Sequence, residues 1–137
     1  MTQTQDRLNT YRDYTVQLLT QLSETYPTLK PEMTQISEQY PGTDDDFSFL
    51  EELELWLVNI CGYAEQVQQT GQVKQFDSAI THLQQLQIFA NPMFVRFYGE
   101  AKHTYPKLQN YLQTLDYLRL LTLEYLQMQQ QLQLVSA

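Results

Sequence analysis

The sequence predicts an all-α fold: a single-domain antiparallel bundle of about five helices, with a long C-terminal helix at its centre. Three observations carry this. Apolar residues recur at helical spacing in four long segments. Punctuation is sparse, with 4 Gly and 5 Pro in 137 residues. The composition leans on Leu and Gln, straight-chain residues that lose little rotamer freedom in a helix. The length suits one domain, since domains run to roughly 100–150 residues. An apolar content of 42% supports one core without staples.

The first helix is expected from about Gln5 to Thr25. Its apolar positions are Leu8, Tyr11, Val16, Leu18, Leu19 and Leu22, and Leu8, Tyr11, Leu18 and Leu22 share one face. Asp6 falls in its first turn, where the helix dipole favours an anion. Pro27 ends it, because the residue before a proline is pushed out of α geometry. A short second helix follows, from about Pro31 to Gln39, with Pro31 in a first-turn position. Met33 and Ile36 are its apolar contribution. Tyr40-Pro41-Gly42-Thr43 reads as a turn.

The third helix, about Asp45 to Thr70, has the clearest pattern. Asp44, Asp45 and Asp46 supply a cap and a negative first turn. Leu50, Leu53, Leu57, Ile60, Ala64 and Val67 form an unbroken stripe. Phe49, Trp56 and Tyr63 form a second stripe beside it, so the helix is expected to meet two neighbours. Gly62 lies inside this helix at a cost of about 1 kcal/mol relative to Ala, which predicts close approach of another helix. Gly71 is the stop.

The fourth helix spans about Gln72 to Ala90, with Val73, Phe76, Ile80, Leu83 and Leu86 on its apolar face. Asn91-Pro92 breaks the chain. A short helix from Pro92 to about His103 would bury Phe94, Val95, Phe97 and Tyr98. The fifth helix runs from about Tyr105 to Leu132 with Pro106 in its first turn, and the tail from Gln129 to Ala137 is expected to fray. From Tyr111 to Met128 apolar residues occupy nearly every face. Such a helix is either central in its bundle or covered by a partner; the central position is the primary expectation and a homodimer through 105–132 the alternative. Thr25-Tyr26-Pro27-Thr28-Leu29 echoes Thr104-Tyr105-Pro106-Lys107-Leu108, and shared turn chemistry accounts for it better than a repeat.

Charge is distributed unevenly. Lys30 and Lys74 bracket 43 residues that hold nine acids and no Lys or Arg. The remainder has eight bases and seven acids, so the net charge of −8 resides in one third of the chain. Acidity disfavours binding to nucleic acids and to anionic membranes. No basic n-region with an apolar run opens the chain, and no uncharged run of about 18 apolar residues occurs, so a cytoplasmic location is expected.

Catalytic motifs are lacking. There is no Gly-rich phosphate loop, no His-Glu-x-x-His and no Cys-x-x-Cys. Cys61, the single cysteine, sits between the two stripes of the third helix in acidic and apolar company, so a structural thiol is expected. Glu100 and His103 have the Glu-x-x-His spacing of di-iron bundles, but no second copy exists and a surface pair is the simpler reading. No metal or cofactor is expected. Arg96, Tyr98, Glu100, Lys102 and His103 form a small basic and aromatic cluster, a secondary candidate surface to which Lys107 adds a base.

These features predict a non-enzymatic acidic module that binds a basic protein. The specific form favoured is an immunity or antidote protein that covers the basic cleft of a toxin or enzyme, with Asp44, Asp45, Asp46, Glu51, Glu52 and Glu54 as the contact residues. The alternatives are a nucleic-acid mimic that inhibits a DNA- or RNA-binding protein, and a bundle subunit or a metal- or ligand-binding bundle.

Overall fold

The helical periodicities become five α-helices among the described residues of the computed structural model, which are 2–39, 49–90 and 105–136. Helix α1 spans Thr2–Thr25, α2 Lys30–Gln39, α3 Phe49–Thr70, α4 Phe76–Gln85 and α5 Pro106–Ser136. Two short 3-10 segments, Tyr26–Leu29 and Ile88–Ala90, also occur, and there is no strand among the described residues. The expected turn at 40–43 and the short helix at 92–103 lie outside the described residues.

Helix α5 is central: it packs against α1, α3 and α4. Directions follow from which ends meet. Leu8, near the start of α1, shares a cluster with Tyr125 and Leu126, whereas Leu22, near its end, packs with Tyr105, Leu108 and Leu112. Thus α1 runs antiparallel to α5. By the same criterion α3 runs parallel to α5, with Leu53 among the residues near the start of α5 and Val67 among those near Tyr125. The core is therefore filled as two clusters, one around the first half of α5 and one around Tyr125 and Leu126.

The inner stripe of α3 is as its spacing predicts. Leu53, Ile60, Ala64 and Val67 are buried, with Leu57 half-buried beside them. Trp56 is buried as well, and Tyr63 reaches α4, so α3 does meet more than one neighbour. Burying aliphatic side chains of this size contributes about 1.5–3 kcal/mol each, the main source of helix stability here.

Several expectations change. Val16 is 40% exposed, and Thr15 is the buried residue in that turn, its Oγ1 donating to the Tyr11 carbonyl at 2.8 Å. An internal backbone acceptor makes a buried threonine inexpensive there. Pro27 does end α1, which stops at Thr25 as expected. It enters the 3-10 segment where no N–H is needed, and α2 follows directly. Helix α1 begins at Thr2, which puts Asp6 past the first turn.

The fourth helix is shorter than its apolar pattern at both ends. At its start, Gly71 takes φ +76° and Gln75 φ 52°, so the chain turns twice before α4 begins at Phe76. The Gln66 side-chain oxygen accepts from the Lys74 N–H at 3.0 Å and holds that turn. At the other end Leu86 leaves helical geometry, which lets Ile88 turn fully into the core. Helix α5 in turn continues helical past Leu132 to Ser136.

Gly62 also departs from expectation. No described atom outside its own stretch of helix lies within 4 Å of where a Cβ would stand. The close approach predicted from the glycine is not made within the described part of the chain.

Candidate interaction surface

Every helix leaves four N–H groups at its start and four carbonyls at its end without partners. In this bundle several of those groups are satisfied by side chains from other helices. The largest case is Glu32. Its carboxylate accepts from the Lys107 N–H at 3.2 Å and from the Leu108 N–H at 3.0 Å, the second and third residues of α5. Glu32 is only 9% exposed. Tyr105, at the cap position itself, offers no short side-chain acceptor, so an anion from α2 does that work and complements the helix dipole.

Side-chain donors, two of them arginines, take the opposite ends. The Arg12 Nη2 donates to the Gln68 carbonyl in the last turn of α3 at 2.9 Å. Tyr125 Oη and Gln129 Nε2 both donate to the Gly71 carbonyl, at 2.9 and 2.7 Å. Arg119, buried, donates through Nη1 to the Leu83 carbonyl in the last turn of α4 at 2.9 Å and through Nε to Asp116 at 2.9 Å.

Glu32 was counted with the acidic third of the chain, yet it belongs to the interior. The rest of that third divides. Glu51 and Glu54 are exposed on α3, as is Glu65 further along, whereas Glu52 is half-buried on its flank. Asp44, Asp45 and Asp46 lie outside the described residues. Leu55 and Val58 stand among the exposed acids and are themselves 54% and 65% exposed. Helical geometry puts residues 51, 55, 58, 62 and 65 on one face, opposite the buried stripe. That face is acidic at both ends and aliphatic in its middle. Counting only the inner stripe concealed it, although the outer one has the same spacing.

The secondary cluster of Arg96, Tyr98, Glu100, Lys102 and His103 lies outside the described residues. Lys107 is exposed at the start of α5. A second exposed apolar pair, Tyr117 and Leu120, marks the outward side of α5 at 54% and 47% exposure.

Burial pushes several thiol and phenol groups near the core toward their neutral forms. Burial, with the Glu65 charge as a smaller contributor, pushes the Cys61 thiol up to about 11. It therefore stays protonated through neutral pH, contrary to what a nucleophilic thiolate requires. Burial raises Tyr111 as well, with Cys61 and Tyr26 adding to the effect. Tyr63 Oη and His82 Nδ1 are 2.7 Å apart, with the rings edge to face. His82 also borders an open depression of about 350 Å³ lined by Asp77, Ser78, Thr81 and Gln85. Among the described residues no three His, Cys, Asp or Glu side chains are grouped to hold a metal ion, and no helix is long and apolar enough to cross a membrane.

No protein-family model, curated protein or solved structure matches this chain.

Proposed function

We propose that this protein is a non-enzymatic, acidic binding module that docks a basic protein, in the manner of an immunity or antidote protein covering a basic cleft. The observation that carries the reading is the outward face of α3. Glu51, Glu54 and Glu65 are exposed there, in a stretch of 43 residues without one Lys or Arg. Like charge gathered in one segment works against a compact fold, and complementary charge on a partner offsets it and speeds encounter. Asp44, Asp45 and Asp46 precede α3 in the sequence and carry the same sign of charge.

The nucleic-acid mimic is the weaker alternative. It needs a long row of carboxylates at phosphate-like intervals, whereas Glu32 is turned inward and Leu55 and Val58 interrupt the acids on α3. Self-association through α5 is a second reading, favoured by the exposed Tyr117 and Leu120; a molecular mass independent of concentration would remove it.

The experiment is capture from a lysate of the source cells at low and high salt, followed by the Glu51→Lys, Glu52→Lys, Glu54→Lys variant. The reading predicts a basic protein retained at low salt and released by high salt. The triple variant then associates more slowly and with a flatter salt dependence. Retention that ignores both salt and charge reversal would refute it.

A further inference from the structure

Helix α3 carries two seams on opposite sides. The inner one, residues 53, 57, 60, 64 and 67, is filled by the bundle. The outer one runs Glu51, Leu55, Val58, Gly62, Glu65 and Gln69, with the same alternating steps of four and three. That spacing is how one helix meets another along its length. Val58 is 65% exposed and Leu55 54%. Gly62 follows Val58 by one turn, and no described atom outside its own stretch of helix comes within 4 Å of its Cβ position. A glycine within a helix weakens it relative to alanine. The space beside it is nonetheless unused by the described chain.

We propose that the outer seam of α3 seats a helix of the partner, one with an aliphatic stripe flanked by Lys or Arg. This rests on the acidic-docking reading and adds the shape of what docks. Leu55 and Val58 supply the apolar contact, and Gly62 lets the two backbones come closer than a side chain would allow, since the distance between packed helices depends on the residues at the contact. Glu54 on the flank of the seam and Glu65 toward its far end select the charge. The same seam on a second copy would place Glu against Glu, with no base from 31 to 73 to relieve it, so the occupant is a basic helix and not this chain again.

A photo-crosslinking amino acid in place of Val58 tests this, with lysate of the source cells as the probe and the linked peptide identified by mass spectrometry. The expected link is to an apolar-striped segment rich in Lys or Arg. Adding Gly62→Leu should reduce linking by about tenfold by overfilling the contact. Its melting temperature should not fall, because the new side chain meets open space and leucine favours the helix. A link to an acidic segment, a link to a second copy, or linking indifferent to Gly62→Leu would overturn the proposal. Low-salt capture of a basic protein without any link at position 58 would sink the helix seat and leave the docking reading standing. Absence of any basic partner at low salt would sink both.

Discussion

Acidic side chains from one stretch of sequence meet two different fates. Glu32 is buried against the first turn of α5, where two backbone N–H groups and the helix dipole receive it. Glu54 and Glu65, on the outward face of α3, are exposed. The first group holds the fold together; the second adds charge and no visible support. The contrast shows that net charge in a segment says little about what each charge does. What decides is whether a helix end lies within reach.

The largest expected effect tests the inward group. Glu32→Ala removes the acceptor of two N–H groups at a partly buried helix start, and hydrogen bonds to charged groups contribute about 1.5–3 kcal/mol each in such settings. A loss of about 2–3 kcal/mol in urea denaturation is expected. Glu32→Gln, which keeps an acceptor and removes the charge, should lose roughly half of that. A variant as stable as the parent would erase the distinction between the two groups of acids.

Arg119→Met comes next. It keeps much of the side-chain packing while removing the donor to the Leu83 carbonyl and the ion pair to Asp116. A loss of about 1–2 kcal/mol is expected, because the carbonyl is left without its donor at the end of α4. Hydrogen exchange should rise in α4 before it rises in α3, since among the described residues the hydrogen bond that Arg119 makes outside α5 goes to α4.

The smallest effect has the opposite sign. Gly62→Ala adds a methyl group to the outward face of α3, where nothing described is close. Stability should rise by up to about 1 kcal/mol, read as a higher urea midpoint with an unchanged slope. A decrease would mean that the glycine serves a contact inside the chain after all, and would count against the outward face as a place kept open for a partner.

Much of the architecture was legible because it rests on periodicity. The stripe through Leu53, Ile60, Ala64 and Val67 is written in adjacent turns, and the all-round apolarity of Tyr111 to Met128 marks a central helix without reference to anything distant. The caps were not legible, because Glu32 and Leu108 are 76 positions apart and neither looks unusual alone. One signal was present: α5 opens Tyr105-Pro106, with no Ser, Thr, Asp or Asn at the cap position, so an acceptor had to come from elsewhere. The shortened α4 was hidden for a related reason, since nothing local announces that Gln75 will adopt positive φ. The outer seam of α3 was in the sequence throughout, at the same spacing as the inner one, and only burial separates the two.

The most direct test of the division between inward and outward acids is the association rate with the captured basic partner, measured side by side for Glu32→Gln and for the Glu54→Lys, Glu65→Lys double variant. The account predicts that Glu32→Gln, measured well below its melting temperature, associates within about twofold of the parent. The double variant should slow by about tenfold or more and lose most of its salt dependence. Equal slowing in both, or slowing confined to Glu32→Gln, would contradict the assignment of Glu32 to the fold and of the α3 face to the partner.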